Sequence, residues 1–204
     1  MHLRAHALIL SVRQHGEHGA IVRALTDEAG MIAGYVRGGR SRAIRPILQP
    51  ANLVVGDWRS RTDDQLAALT LELSRSRAPL YADPLAAAAL EWITALTAVV
   101  LPEGQRYPRL YAALEGMIGA IEAAPAARGW AVALVRYEQL LLAELGYGLG
   151  DDGPQIAAGA RWDEILSALA ATGREIEAHL LIDRRAEALA GRERLVERLK
   201  RAVA

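Results

Sequence analysis

The sequence predicts an α+β chain, with a small closed or nearly closed β-barrel over residues 1–79 and an all-helical part over 80–204. Two observations carry this expectation. Up to about Arg77 the chain consists of short runs rich in Val, Ile, Leu, Trp and Thr, partly alternating and separated by turns rich in glycine and charge. After Pro79 alanine and leucine recur at helical spacing, with proline and glycine where helices start and stop. A length of 204 residues with 52% apolar residues is enough for one large core or two small ones.

Taken in order, the strand runs are HALILSV, AIVRALT, MIAGYVR, NLVVGDWRS and LAALTLELS. Between them lie HGEHG, DEAG and the long RGGRSRAIRP loop, in which glycine supplies positive φ and Pro46 removes a ladder donor. Five short strands within this length suit a barrel, because closure removes adhesive sheet edges. Helices are expected near 84–100, 108–123, 127–145, 162–181 and 187–202. Asp83 caps the first, with Pro84 at its first position; Pro108 opens the second, and Gly146 stops the third. In the fourth, Trp162, Ile165, Leu166, Leu169, Ile176 and Leu180 share one stripe, and Gly173 leaves room for a close neighbour. The last, GRERLVERLKRAVA, has a Leu195, Leu199, Val203 row beside a charged face that reads as solvated.

Charge is balanced overall, with 24 basic and 24 acidic residues, yet unevenly spread. Residues 1–80 hold eleven arginines against seven acids, an excess of four that the remainder reverses. Within it, YVRGGRSRAIR places Arg37, Arg40, Arg42 and Arg45 around two adjacent glycines with no acid between them. Such a cluster either dissolves in solvent or receives an anion. Guanidinium groups fork onto phosphate oxygens, and glycines let backbone N–H groups approach the same anion. Arg59 and Arg61 extend the same surface. Tyr35 and Trp58 are the only aromatic side chains before Pro79 that could stack on a base, and either could equally be core.

Other chemistry finds little support. The chain has no cysteine, which excludes disulfides, thiolate metal sites and cysteine nucleophiles and fits a reducing compartment. No GxSxG or GxxxxGKS segment occurs, and the pairs Asp27-Glu28, Asp63-Asp64 and Asp151-Asp152 lie in turn-like contexts, so no catalytic residue is assigned and an enzyme is not expected. His15, Glu17 and His18 in HGEHG superficially suggest a metal site but lack a completing ligand. His2 and His6 are incidental. Gly146, Gly148 and Gly150 follow a helix instead of opening one, opposite to phosphate-cradle geometry. The N-terminal apolar run is shorter than a signal core of ~7–15 residues, and PLAAAALEWITALTAVVLP falls short of a membrane span of roughly 20 strongly apolar residues. A cytoplasmic protein without cofactor is the expectation.

The order of these parts, with YVRGGRSR, the LQP and VVGDWR segments and then VRYEQLLLAELGYGLG, resembles the bacterial recombination mediator family RecO. The resemblance spans residues 1 to about 150 and resumes in HLLIDRRAEALAGRERLVERLKR. It implies an OB-fold barrel, binding to single- and double-stranded DNA, annealing of complementary strands, and work with RecR, RecF and single-stranded DNA-binding protein to load RecA. It also implies that the helical part receives the C-terminal tail of single-stranded DNA-binding protein, with Arg136 and Tyr137 in the matching region. Many family members carry a four-cysteine zinc module after LGYGL; here a shortened 150–161 linker stands in that place, so zinc is not implied. A different class of function remains open, an adaptor whose arginine loop meets an acidic protein surface.

Overall fold

Hydrophobic alternation in the first 75 residues produces a barrel whose strands lie close to the expected runs. The computed structural model describes residues 1–62, 65–124, 126–148, 156–181 and 185–203. They group into two units, one of Met1–Ala82 with Thr94–Tyr111, the other of Asp83–Ile93 with Ala112–Ala204. In the first unit β1 (His2–His15), β2 (Gly19–Thr26), β3 (Gly30–Val36), β4 (Leu53–Arg59) and β5 (Ala67–Arg75) close in the order β1-β2-β3-β5-β4. β1 is long enough to serve two neighbours. Its first half pairs antiparallel with β4, from His2↔Arg59 to Leu8↔Leu53, and its second half with β2, ending at His15↔Gly19. The register shifts between Ile9 and Ser11, where an extra residue bends the strand from one neighbour to the other. Closure between β3 and β5 rests on two parallel pairs, Gly34↔Ala67 and Tyr35↔Ala68.

Side chains at alternate positions fill the interior, with Ala7, Ile9, Ala20, Val22, Ala24, Val54 and Trp58 all fully buried. Trp58 therefore belongs to the core, and a Cβ at Gly56 would overlap its ring. Residues 37–52 do more than connect β3 to β4. Leu48 joins the barrel core, and Ile44 and Ile47 pack against it. A Cβ at Gly39 would stand 2.8 Å from Ala20 Cβ, so the loop backbone lies directly on β2. Asn52, fully buried, fixes the return: its Nδ2 donates to the Pro46 and Ile47 carbonyls at 3.1 and 3.0 Å, and its Oδ1 accepts from the Arg77 N–H at 2.7 Å. The loop is thus a plug with an apolar inner side. In the same unit, Arg23 reaches from β2 to the Ala98 carbonyl and to Glu103 at 3.2 Å, clasping residues 94–104.

The second unit is built from helices. α1 (Pro84–Val100), of which residues 84–93 belong here, starts as expected: the N–H groups of Leu85 and Ala86 donate to Asp83 Oδ1 at 2.7 and 2.9 Å. α2 (Pro108–Ala123), α3 (Arg128–Glu144), α4 (Trp162–Glu175) and α5 (Arg185–Val203) follow, with a π-turn over Ile176–Leu180. Gly146, at φ +86°, ends α3. Trp92, Trp130, Tyr137, Leu141, Ile165, Leu169, Leu195 and Leu199 form the core. At its centre is the fully buried Glu138. Trp92 Nε1 donates to it at 2.8 Å, Arg192 Nε and Nη2 at 3.1 and 2.9 Å, and the Thr172 hydroxyl also donates. One carboxylate on α3 so gathers side chains from α1, α4 and α5. Gly173 admits the Arg192 guanidinium, which a Cβ there would strike. Among the described residues no helix is long and apolar enough to cross a membrane.

Candidate nucleic-acid interface

The plug loop has a second side. With Ile44, Ile47 and Leu48 turned to the barrel, the helical turn between Gly38 and Leu48 sends Arg37, Arg40, Arg42 and Arg45 into solvent, and all four are exposed. That turn is closed by Ser41 N–H to the Gly38 carbonyl at 2.8 Å and Arg45 N–H to the Ser41 carbonyl at 2.9 Å. Among the described residues none of the four guanidinium groups meets an acidic side chain, and Arg40 Nε donates instead to Gln14 Oε1 at 2.7 Å. Arg40 and Arg45 share a cleft of about 380 Å³ with Gln14 and Gly39. It merges with a neighbouring hollow of about 430 Å³ that has Gln14, Gly39 and Arg45 in common with it.

Tyr35 lies on the outer wall. Strand pairing runs Arg13↔Ile21↔Tyr35↔Ala68↔Arg59↔His2 around the barrel, one transverse row of outward residues. At ~4.8 Å between strands, Tyr35 and Arg59 are about 10 Å apart along this row. The half-buried Tyr35 ring passes over Gly19, which has no side chain to obstruct it, and meets His15 edge-on with centroids 6.0 Å apart. HGEHG therefore gives His15 an aromatic neighbour, while His18 lies 3.8 Å from Glu17.

Arg59 differs from the loop arginines. Its Nε and Nη2 fork onto Asp57 at 3.0 and 2.8 Å, and His2 approaches the same carboxylate at 3.2 Å. The hydrogen bond from Arg59 holds the Asp57 carboxyl below its usual range, and Asp57 in return raises the Arg59 guanidinium. Arg59 thus reaches a phosphate only in competition with Asp57. Arg61, just beyond β4, is exposed.

In the helical unit the two expected contact residues separate. Arg136 is exposed, and its Nη2 donates to the Ile156 carbonyl at 2.9 Å. Tyr137 is only 2% exposed and packs in the core, so its ring is not a surface contact, contrary to the expectation that paired it with Arg136. The helical period places consecutive residues about 100° apart, which turns one inward when the other faces out. Asp63-Asp64, Asp151-Asp152 and Gly150 lie outside the described residues. Gln14 and Arg13 were not found by sequence reasoning, since nothing in VRQHGEHG distinguishes a strand end from a polar turn.

Two family models cover most of the chain: Recombination protein O N terminal over residues 1–77 and Recombination protein O C terminal over residues 81–150. The DNA repair protein RecO of Caulobacter vibrioides (strain NA1000 / CB15N) is 39% identical over 171 residues, which are 83% of this chain and 68% of that protein. That of Gluconacetobacter diazotrophicus is 41% identical over 152 residues, 73% of this chain and 60% of the relative. For Rhodospirillum centenum the figures are 34% over 238 positions, 96% of this chain and 94% of the relative. Because 96% of 204 residues is about 196, about 42 of those positions hold residues of the relative alone.

Proposed function

The chain belongs to the RecO family of DNA repair proteins, and from there we propose that its barrel loop binds the DNA backbone, anneals complementary strands and helps to load RecA on single strands coated by single-stranded DNA-binding protein. The observation that carries this reading is a set of four exposed guanidinium groups on one loop, without acidic partners among the described residues. Phosphates neutralised by that loop repel a second strand less, while most bases stay free to pair. No bond is made or broken, so the role requires no catalytic residue. Tyr35 adds one base contact on the adjoining wall; Arg61, and Arg59 once released from Asp57, lengthen the track. Double-stranded DNA uses the same phosphate contacts.

The helical part, residues 80–204, is proposed to take partners, with exposed Arg136 facing the acidic tail of single-stranded DNA-binding protein. RecR joins as a further partner, with action in the cytoplasm at the nucleoid. The decisive experiment is fluorescence-monitored annealing of complementary oligonucleotides by the natural chain and by one carrying Arg37→Ala, Arg40→Ala, Arg42→Ala and Arg45→Ala. Annealing is expected to vanish while circular dichroism stays unchanged. A folded quadruple variant that anneals normally defeats the proposal, and loss of binding to an acidic protein with oligothymidylate binding intact favours the adaptor instead.

A further inference from the structure

The hollow beside the plug loop holds more than a phosphate needs. Its walls include Val12, Pro46, Leu48 and Pro50, apolar groups that give nothing to an anion. Its rim carries Arg45, and Arg40 stands in the merging cleft. Gln14 links the two. Its Oε1 is occupied by Arg40 Nε at 2.7 Å, which leaves the Nε2 amide group as the end with donors to offer. A second amide, from Gln49, lines the same hollow. Apolar walls, amides at their edge and cations at the rim are the complement of a flat heterocycle with polar edges joined to a phosphate. A volume of about 430 Å³ lies within the ~300–1,000 Å³ of small-ligand clefts.

We propose that this hollow seats a single nucleobase of the bound strand, with Gln14 contacting its polar edge and Arg40 and Arg45 holding the adjoining phosphates. The inference rests on the proposed backbone contact and adds one base-dependent point to it. Arg37 and Arg42, exposed on the same loop, continue the positive charge past the hollow, which suits a polyanion better than a ligand with one acidic group. Holding one base while its neighbours remain unpaired gives the strand a fixed register on the barrel. It leaves the rest of the bases available to a complementary strand.

The test compares oligothymidylate of about 12 nucleotides with an abasic deoxyribose-phosphate chain of equal length, by fluorescence anisotropy with the full chain. The natural protein is expected to bind the thymidylate about tenfold more tightly, the scale of one well-held base. Gln14→Ile removes the amide at an exposed strand position suited to a β-branched residue. It is expected to lose most of that preference, keeping only the share that Tyr35 supplies, while its salt slope on the abasic chain and its circular dichroism stay as they were. Equal affinity of the natural protein for both chains overturns the inference and spares the backbone reading. A preference that survives Gln14→Ile undiminished also overturns it and moves the base contact elsewhere. Failure to bind either chain overturns both readings. If Gln14→Ile instead weakens only an acidic, apolar peptide, the hollow is a protein-docking site and the inference fails.

Discussion

Replacing Arg192 by methionine probes the Arg192–Glu138 ion pair buried in the helical core. The substitution retains most of the stem's volume but removes a guanidinium whose side chain is 11% exposed and which meets a carboxylate of zero exposure. Glu138 keeps the donors on Trp92 and Thr172 but loses its cation. Removing one member of a buried pair costs about 3–5 kcal/mol, because the remaining charge stays desolvated. That is two to nearly four powers of ten in the folding equilibrium, against a total stability of ~5–15 kcal/mol for a domain. Urea unfolding followed by tryptophan fluorescence reads it well, since Trp92, Trp130 and Trp162 all lie in the helical unit and only Trp58 in the barrel. Adding Glu138→Gln to Arg192→Met removes the stranded charge and keeps an acceptor for Trp92. The double variant is expected to return to within about 1–2 kcal/mol of the natural chain, the cost of an imperfect neutral hydrogen bond. A single variant that loses less than about 1 kcal/mol, or a double variant no more stable than the single one, refutes the account of Glu138 as a charge held by Arg192.

Four loop arginines neutralising four phosphates of a single strand give a salt slope of about −2.8, so affinity for oligothymidylate is expected to fall about 50-fold between 50 and 200 mM salt; a slope near zero contradicts the contact. Asp57→Asn frees Arg59 and is expected to raise affinity severalfold at low salt and steepen that slope by about 0.7, measured by the same titration. The Asp57 carboxyl is held below its ordinary value of 3.8 by Arg59, so the pair's contribution is present above 3.8 and is lost only as pH falls through the lowered value. Binding between pH 5 and 8 is therefore expected to show no step from this pair, and a step abolished by Asp57→Asn contradicts that sign. Trp58→Ala empties the middle of the barrel and is expected to cost ~3–5 kcal/mol in chemical denaturation, far more than the exposed Arg42→Ala.

Local signals were strong where one force acted alone. Pro84 and Pro108 marked helix starts, Gly146 marked an end, and alternation set the strands of a barrel whose inward residues are mostly apolar. Two features escaped because they depend on competition across the chain. The polar string Arg13-Gln14-His15 carries no strand signature, yet β1 extends through it since β2 supplies hydrogen-bonding partners as far as Gly19. Arg192 sits in a helix whose neighbours Glu193, Arg194, Glu197 and Arg198 are all exposed, as a charged face requires, but Arg192 itself turns inward to Glu138 and Gly173. The arginine cluster was legible as an electrostatic anomaly, a local excess of like charge. Its anchoring was not, because Ile44, Ile47 and Leu48 are too few and too irregular to register as either period.

That anchoring ties ligand and fold to a single equilibrium. The segment offering the guanidinium groups also stoppers the barrel, so a strand that grips them selects the stoppered form, and unplugging the end scatters the cations. On the proposed contact, a polyanion is accordingly expected to brace the sheet, its melting temperature continuing to rise with the logarithm of the free polyanion concentration above the dissociation constant. Conversely, on the same proposal, shaving a methyl from Ile47 is expected to loosen the grip on DNA from the far side of the loop, without altering any charge.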